Sequence, residues 1–228
     1  MRHRLSSLAP TFGIAVLASA LAFAVPYGNY QDLHAHGEVL VDPGWSRAHP
    51  GPYIMTVTLV LDEEWQAYAP DVAAVRLDAA IERVRDLYLE VGIHVEWAAV
   101  RGWHSRDDRA SLRDLLDDLI VAYPARETDL VVALVGQQGS GPDGLAQRLG
   151  RHIIVRHHQA HPERDAMVIA HEIGHILGAD HHACRGHRCL MTPSGFEYSD
   201  EWCPGHLRIL RLNAGLFEWS AQADPGSG

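Results

Sequence analysis

"PERDAMVIAHEIGHILGADH", residues 162–181, reads as one helix followed by a chain reversal. Pro162 suits a first helical turn, Glu163 and Asp165 complement the positive end of the helix dipole, and Gly178 suits a left-handed stop. Ala166, Ile169, Ala170, Ile173 and Leu177 make an apolar stripe for a core. His171 and His175 stand one turn apart on another stripe, a spacing that lets two imidazoles converge on one ion at about 2.0–2.1 Å. Glu172 is rotated by about 100° from His171, so it is poorly aimed as a ligand and well placed to reach a water at the ion. Gly178 permits the bend that returns His181 as a third ligand. Three protein ligands with a fourth position left over are the catalytic pattern, whereas structural zinc is usually closed by four. The expected chemistry is attack of water on a carbonyl, with Glu172 as general base.

Strand and helix periodicities alternate in the chain before this helix. "YIMTVTLVL" (53–61) is a β-branched strand, and residues 72–90 repeat Val72, Val75, Leu77, Ile81, Val84, Leu87 and Tyr88 with helical spacing. "GIHVEW" (92–97) is a second strand, and Ser111 caps a helix that runs to Tyr123. "DLVVALV" (129–135) is a buried central strand. A glycine-rich loop (136–144) leads to an edge strand, "LAQRLG" (145–150), and then to "HIIVRHH" (152–158). His152, His157, His158 and His161 read as a solvated surface. Past residue 181 regular structure is sparse until a C-terminal helix at about 204–218. The predicted class is α/β: a mixed, mostly parallel sheet with an antiparallel edge strand, packed helices, and a small irregular C-terminal subdomain ending in a helix.

The 228 residues suffice for one domain with a sizeable core. An apolar share of 47% and a charged share of 21% are those of a globular chain. The net charge of −10 argues against a nucleic-acid partner, which requires a basic face. Arg2 and Arg4 precede an uncharged apolar run (12–25), with small-residue cleavage patterns at Ala18-Ser19-Ala20 and Ala22-Phe23-Ala24. That run is short for a span of about 20 residues. Residues 1–25 are therefore expected to be a signal peptide, with an N-terminal anchor as the alternative; the site of action is secreted or extracytoplasmic, with a membrane as partner only if the segment is uncleaved. Residues 26–50 form an irregular lead-in, 51–218 the domain (51–178 upper, 179–218 lower), and 219–228 a tail. Oligomeric state is not legible here.

The run His171-Glu172-x-x-His175-x-x-Gly178-x-x-His181 resembles the metzincin signature, and the resemblance spans about residues 50–215. It implies a zincin fold, a zinc-dependent peptidase and a peptide or protein substrate. Catalytic Zn2+ would lie on His171, His175 and His181, with Glu172 as base and later proton donor. Met191 of "CLM" would be the methionine turn beneath the metal. In such enzymes the edge strand holds an extended peptide by strand addition, which assigns substrate contact to Leu145, Ala146, Gln147, Arg148, Leu149 and Gly150.

His182, after the third histidine, matches none of the large metzincin groups. The tail is similar to that of archaemetzincins, where C-x4-C-x-M and a later C-x-x-C hold a second zinc. Here Cys184-x4-Cys189-x-Met191 is displaced by two residues, and "CPGH" (203–206) supplies C-x-x-H. This resemblance implies a closed structural site of Cys184, Cys189, Cys203 and His206, stapling a segment poor in apolar residues. Reprolysin-like (adamalysin-type) domains are also similar, and there the cysteines form disulfides, which leaves one of the three unpaired. Two other functions share the pattern: a non-catalytic metal- or peptide-binding protein, and a zinc hydrolase of a non-peptide amide or ester. Glu172 favours turnover, since binding alone needs no base.

Overall fold

In order along the chain come β1 (Tyr53–Asp62), α1 (Glu63–Ala67), α2 (Pro70–Leu89), β2 (Ile93–Trp103), α3 (Leu112–Ala122), β3 (Leu130–Val135), β4 (Gly144–Ala146), β5 (His152–Arg156), α4 (Glu163–Ile176), α5 (Pro204–Asn213) and a 3-10 turn (Ala214–Leu216). The computed structural model describes residues 51–67, 70–106, 111–137, 139–147, 150–158, 161, 163–181, 188–192 and 199–217, all within a unit spanning His34–Gly228. The expected signal or anchor (1–25), the lead-in (26–50) and the tail (219–228) lie outside the described residues.

The strands form one sheet in the order β2-β1-β3-β5-β4. β1 is parallel to β2 and β3, and β3 is parallel to β5. β4 alone is antiparallel, on the outer edge of β5. This is the mixed sheet with an antiparallel edge strand that the alternation predicts. Helices cover both faces, which is why every residue of β3 is buried. On one face Met55, Val57 and Leu59 pack with Val84 and Leu87 of α2 and Ile169 and Ile173 of α4. On the other, Val60, Val131 and Ile154 pack with Leu112, Leu115, Leu116 and Leu119 of α3. α3 begins where Ser111 predicts, its side chain accepting the Asp114 N–H at 3.2 Å.

Several boundaries differ from expectation for local reasons. β2 continues to Trp103, following β1 through a bulge between Val57 and Thr58. α2 buries Val84, Leu87 and Tyr88 as expected, but turns Val75 to solvent and buries Ala73 and Ala80. α1 is too short to show a period; its start is held by Asp62 Oδ1, which accepts the Trp65 N–H at 2.7 Å. The edge strand stops at Ala146 rather than 150. β4 and β5 are antiparallel sequence neighbours, so the residues between them must reverse the chain. Gly150 N–H accordingly closes a turn on Gln147 O at 2.7 Å, and Gln147 N–H bonds His152 O at 2.9 Å. The solvated histidine surface fails for His152 and His157, both buried. His157 Nδ1 lies 2.5 Å from Asp165 Oδ2 in the first turn of α4, and His152 Nε2 is 2.8 Å from Tyr123 O.

Candidate metal centre

α4 sets two of the three candidate ligands. His171 and His175 are one turn apart, and their Nε2 atoms are 3.1 Å from each other. The helix ends at Ile176, and Gly178, at φ 84°, turns the chain back. Its N–H bonds His175 O at 3.1 Å, and Ala179 N–H bonds Gly174 O at 2.9 Å, satisfying the last carbonyls of the helix. The reversal brings His181 Nε2 to 2.8 Å from His171 Nε2 and 3.0 Å from His175 Nε2.

The hydrogen bonds behind the rings decide what this triangle can do. His171 Nδ1 lies 2.8 Å from Leu190 O and His175 Nδ1 lies 2.8 Å from Ala179 O. A carbonyl only accepts, so each Nδ1 carries the proton and each Nε2 presents a lone pair. Lone pairs facing one another at this distance repel unless a cation stands between them. Tetrahedral ligands at about 2.0–2.1 Å from one ion sit about 3.3 Å apart, so the triangle needs only a few tenths of an ångström of expansion. Burial pushes the His171 imidazolium down to about 4, with the Leu190 carbonyl opposing and His175 and His181 adding to the fall. Burial also lowers His181, against the opposing charge of Asp180. Neutral imidazoles backed by carbonyls fit a zinc ion.

Glu172 is buried beside these ligands, and its carboxyl is pushed up to about 7, mainly by burial; a hydrogen bond from the Ala146 backbone partly offsets this. That bond comes from the edge strand. Arg156 N–H bonds Asp143 O at 2.7 Å and Gln147 N–H bonds His152 O, so alternation turns the Gly144 and Ala146 backbone groups away from β5. At Gly144 this strand lies against α4: a Cβ there would lie 2.5 Å from Val168 Cγ1 and 2.8 Å from Glu172 Oε1.

Met191 is fully buried under the same helix. A Cβ on Gly174 would stand 2.6 Å from Met191 Sδ and 3.6 Å from Trp202 Cη2. Trp202 Nε1–H in turn donates to Leu87 O at 3.0 Å and meets the Tyr88 ring edge-on, centroids 5.6 Å apart. Tyr88 O–H donates to Ala170 O at 2.7 Å. Burial, helped by the charge of Glu172, holds that hydroxyl well above its usual range, so it remains a donor.

A second cluster lies behind the first. Cys189 Sγ and Cys203 Sγ are 3.0 and 3.3 Å from His206 Nδ1, and all three side chains are buried. The three ligand atoms lie within 4.8 Å of one another. His206 Nε2 is 3.0 Å from Asp180 O, so Nδ1 is the atom left to face the thiols. Cys184, Arg148 and Leu149 lie outside the described residues. Of the other residues expected to touch substrate, Leu145 and Ala146 are in β4, whereas Gln147 and Gly150 belong to the turn. Sequence reasoning missed Gly174 and Gly144; the only signal was glycine in a helix interior and glycine at the end of a loop.

No family model and no curated protein matches the sequence. Solved structures do match. Archaemetzincin from Methanopyrus kandleri aligns with a TM-score of 0.55 at 22% identity, over 72% of this chain and 96% of its own. A chain from the structure of a chaperone-substrate complex gives a TM-score of 0.54 at 15% identity, over 74% of this chain and 35% of its own. At these identities the likeness is one of fold.

Proposed function

We propose that this chain is a zinc-dependent endopeptidase in which His171, His175 and His181 hold the metal and Glu172 is the general base. One arrangement carries the reading: three imidazole nitrogens within 2.8–3.1 Å of one another, with a buried carboxyl next to the first on the same helix. Zinc, when bound, supplies Lewis acidity toward the attacking water and the scissile carbonyl. The chain supplies the rest. Leu190 and Ala179 hold two rings in the tautomer that ligates, and the Ala146 N–H orients Glu172. Glu172 takes the proton of the attacking water and delivers it to the departing amine.

The proposed substrate is an extended peptide that adds to the outward edge of β4, at the Gly144 backbone groups and the Ala146 carbonyl, with Leu145 and the turn residues Gln147 and Gly150 beside it. Because the strand is three residues long, this pairing is short, and side-chain pockets must contribute the remaining affinity. The cluster of Cys189, Cys203 and His206, with Cys184 as fourth ligand, is proposed to hold a structural zinc; three buried ligand atoms within 4.8 Å of one another support it. Export through residues 1–25 belongs to the same reading and rests on the sequence pattern there.

The test uses the purified full chain against a mixed peptide library, with and without chelator. Cleavage is expected to vanish on chelation and return with zinc. Glu172→Ala is expected to retain the zinc count of the parent and to lose cleavage by at least about a thousandfold. Undiminished cleavage by that variant would falsify the assignment of the base, and a parent that binds zinc without cleaving any peptide removes the peptidase reading.

A further inference from the structure

We infer that His206 ties the two clusters together, so that filling the thiolate cluster sets how tightly the histidine cluster holds zinc. The inference rests on the two-zinc reading above. His206 is completely buried and uses both ring nitrogens: Nδ1 faces Cys189 Sγ and Cys203 Sγ, while Nε2 reaches Asp180 O at 3.0 Å. Asp180 is bonded directly to His181, whose Nε2 completes the histidine triangle. A second link runs through Cys189, the neighbour of Leu190, whose carbonyl accepts from His171 Nδ1 at 2.8 Å. Two of the three ligands in the first cluster therefore have their backbone supports set by the second.

The coupling has a definite chemical origin. A neutral imidazole exists as two tautomers, and only the one protonated on Nε2 can donate to the Asp180 carbonyl. Coordination through Nδ1 removes the other tautomer, so metal at the thiols fixes the donor that holds Asp180 and, with it, the position of His181. A cysteine at residue 206 would supply a ligand atom and no donor. His206 is thus a positioning residue for the first cluster as well as a ligand of the second.

The experiment loads the full chain with Co2+. Thiolate-to-cobalt charge-transfer absorption reports the thiolate cluster, cobalt bound without that band reports the histidine cluster, and chelator competition gives each affinity. His206→Cys is expected to keep the charge-transfer band and to weaken cobalt at the histidine cluster about tenfold. Coupling in binding is reciprocal. His175→Ala, which dismantles the histidine cluster at a partly exposed position, is therefore expected to weaken cobalt at the thiols as well. Parent-like affinity of the histidine cluster in the first variant, or of the thiols in the second, overturns the coupling while leaving two metal sites in place. Absence of any charge-transfer band in the parent removes the two-zinc reading and the coupling with it.

Discussion

Met191 Sδ lies 2.6 Å from the point where a Cβ on Gly174 would stand. The sulfur therefore packs against α4 where Gly174 carries no side chain, and Trp202 lies against the same position. Leu190, the preceding residue, carries the carbonyl that holds His171. A single short segment thus fills the notch in the helix and fixes the ligand above it.

Gly174→Ala is expected to act against helix propensity. In a solvent-facing helix interior this change stabilises by about 1 kcal/mol. Here the new methyl meets a fully buried sulfur, and overpacking of this kind costs about 1–3 kcal/mol. Denaturant unfolding of Gly174→Ala, alone and combined with Met191→Ala, separates the two effects. The glycine substitution should be less costly in the double variant, where the sulfur is gone; equal cost in both backgrounds would show that the contact carries nothing.

The reach of the sequence follows from how local each feature is. His171, His175 and Gly178 were legible because helical spacing and a left-handed stop are properties of adjacent residues. The sheet order was legible in class, since β-branched strands alternating with amphipathic helices leave few topologies. Gly174 and Gly144 were not, because what each makes room for, Met191 Sδ and Glu172 Oε1, comes from a distant part of the chain. The burial of His157 is hidden for the same reason: its partner Asp165 complements a helix dipole by position alone, and in the fold it also accepts from a buried ring.

At the other side of α4, Gly144→Ala is expected to separate catalysis from metal binding. Its methyl would meet Glu172 Oε1 and Val168 Cγ1, forcing the edge strand away from the helix or the carboxyl away from its place. The three heavy atoms nearest that methyl belong to Val168 and Glu172. The expected outcome is an unchanged zinc count with kcat/KM lower by about a hundredfold, the scale of a mispositioned reacting group. A parallel loss of zinc would mean that the strand supports the ligands rather than Glu172.

Asp62 makes stability depend on pH away from the metal. It is buried, accepts the Trp65 N–H at 2.7 Å and the Gly136 N–H at 2.9 Å, and its carboxyl is raised from 3.8 to about 7. Burial is the main cause; the two amides oppose it, and the neighbouring Glu64 adds to it. The folded chain therefore holds this proton more tightly than the unfolded chain. The contribution to stability is complete below pH 3.8 and is lost as pH rises through about 7, with a slope of at most about 1.4 kcal/mol per pH unit. Asp62→Asn keeps an accepting oxygen and cannot ionise. Its stability relative to the parent should rise between pH 4 and 7, and a constant difference across that range in urea titrations would count against the assignment.

Chelation should loosen one part of the chain before the rest. Leu190 N–H bonds Glu201 O at 2.7 Å, and Cys203 N–H points at Cys189 Sγ at 3.4 Å, so the two short segments of the second cluster lean on each other. They join the core through Leu190, Met191 and Trp202, whereas β3 is covered on both faces. With zinc at the thiols, opening these segments requires breaking metal bonds; without it, only the packing of Leu190, Met191 and Trp202 resists. Amide exchange followed with and without chelator is expected to accelerate about tenfold or more at Leu190 and Cys203. At Val131, whose N–H bonds Arg151 O within the sheet, it should stay unchanged. Equal acceleration at both places would mean that the metal holds up the whole domain, and no acceleration at either would mean that the cysteines and His206 hold their segments together by packing alone.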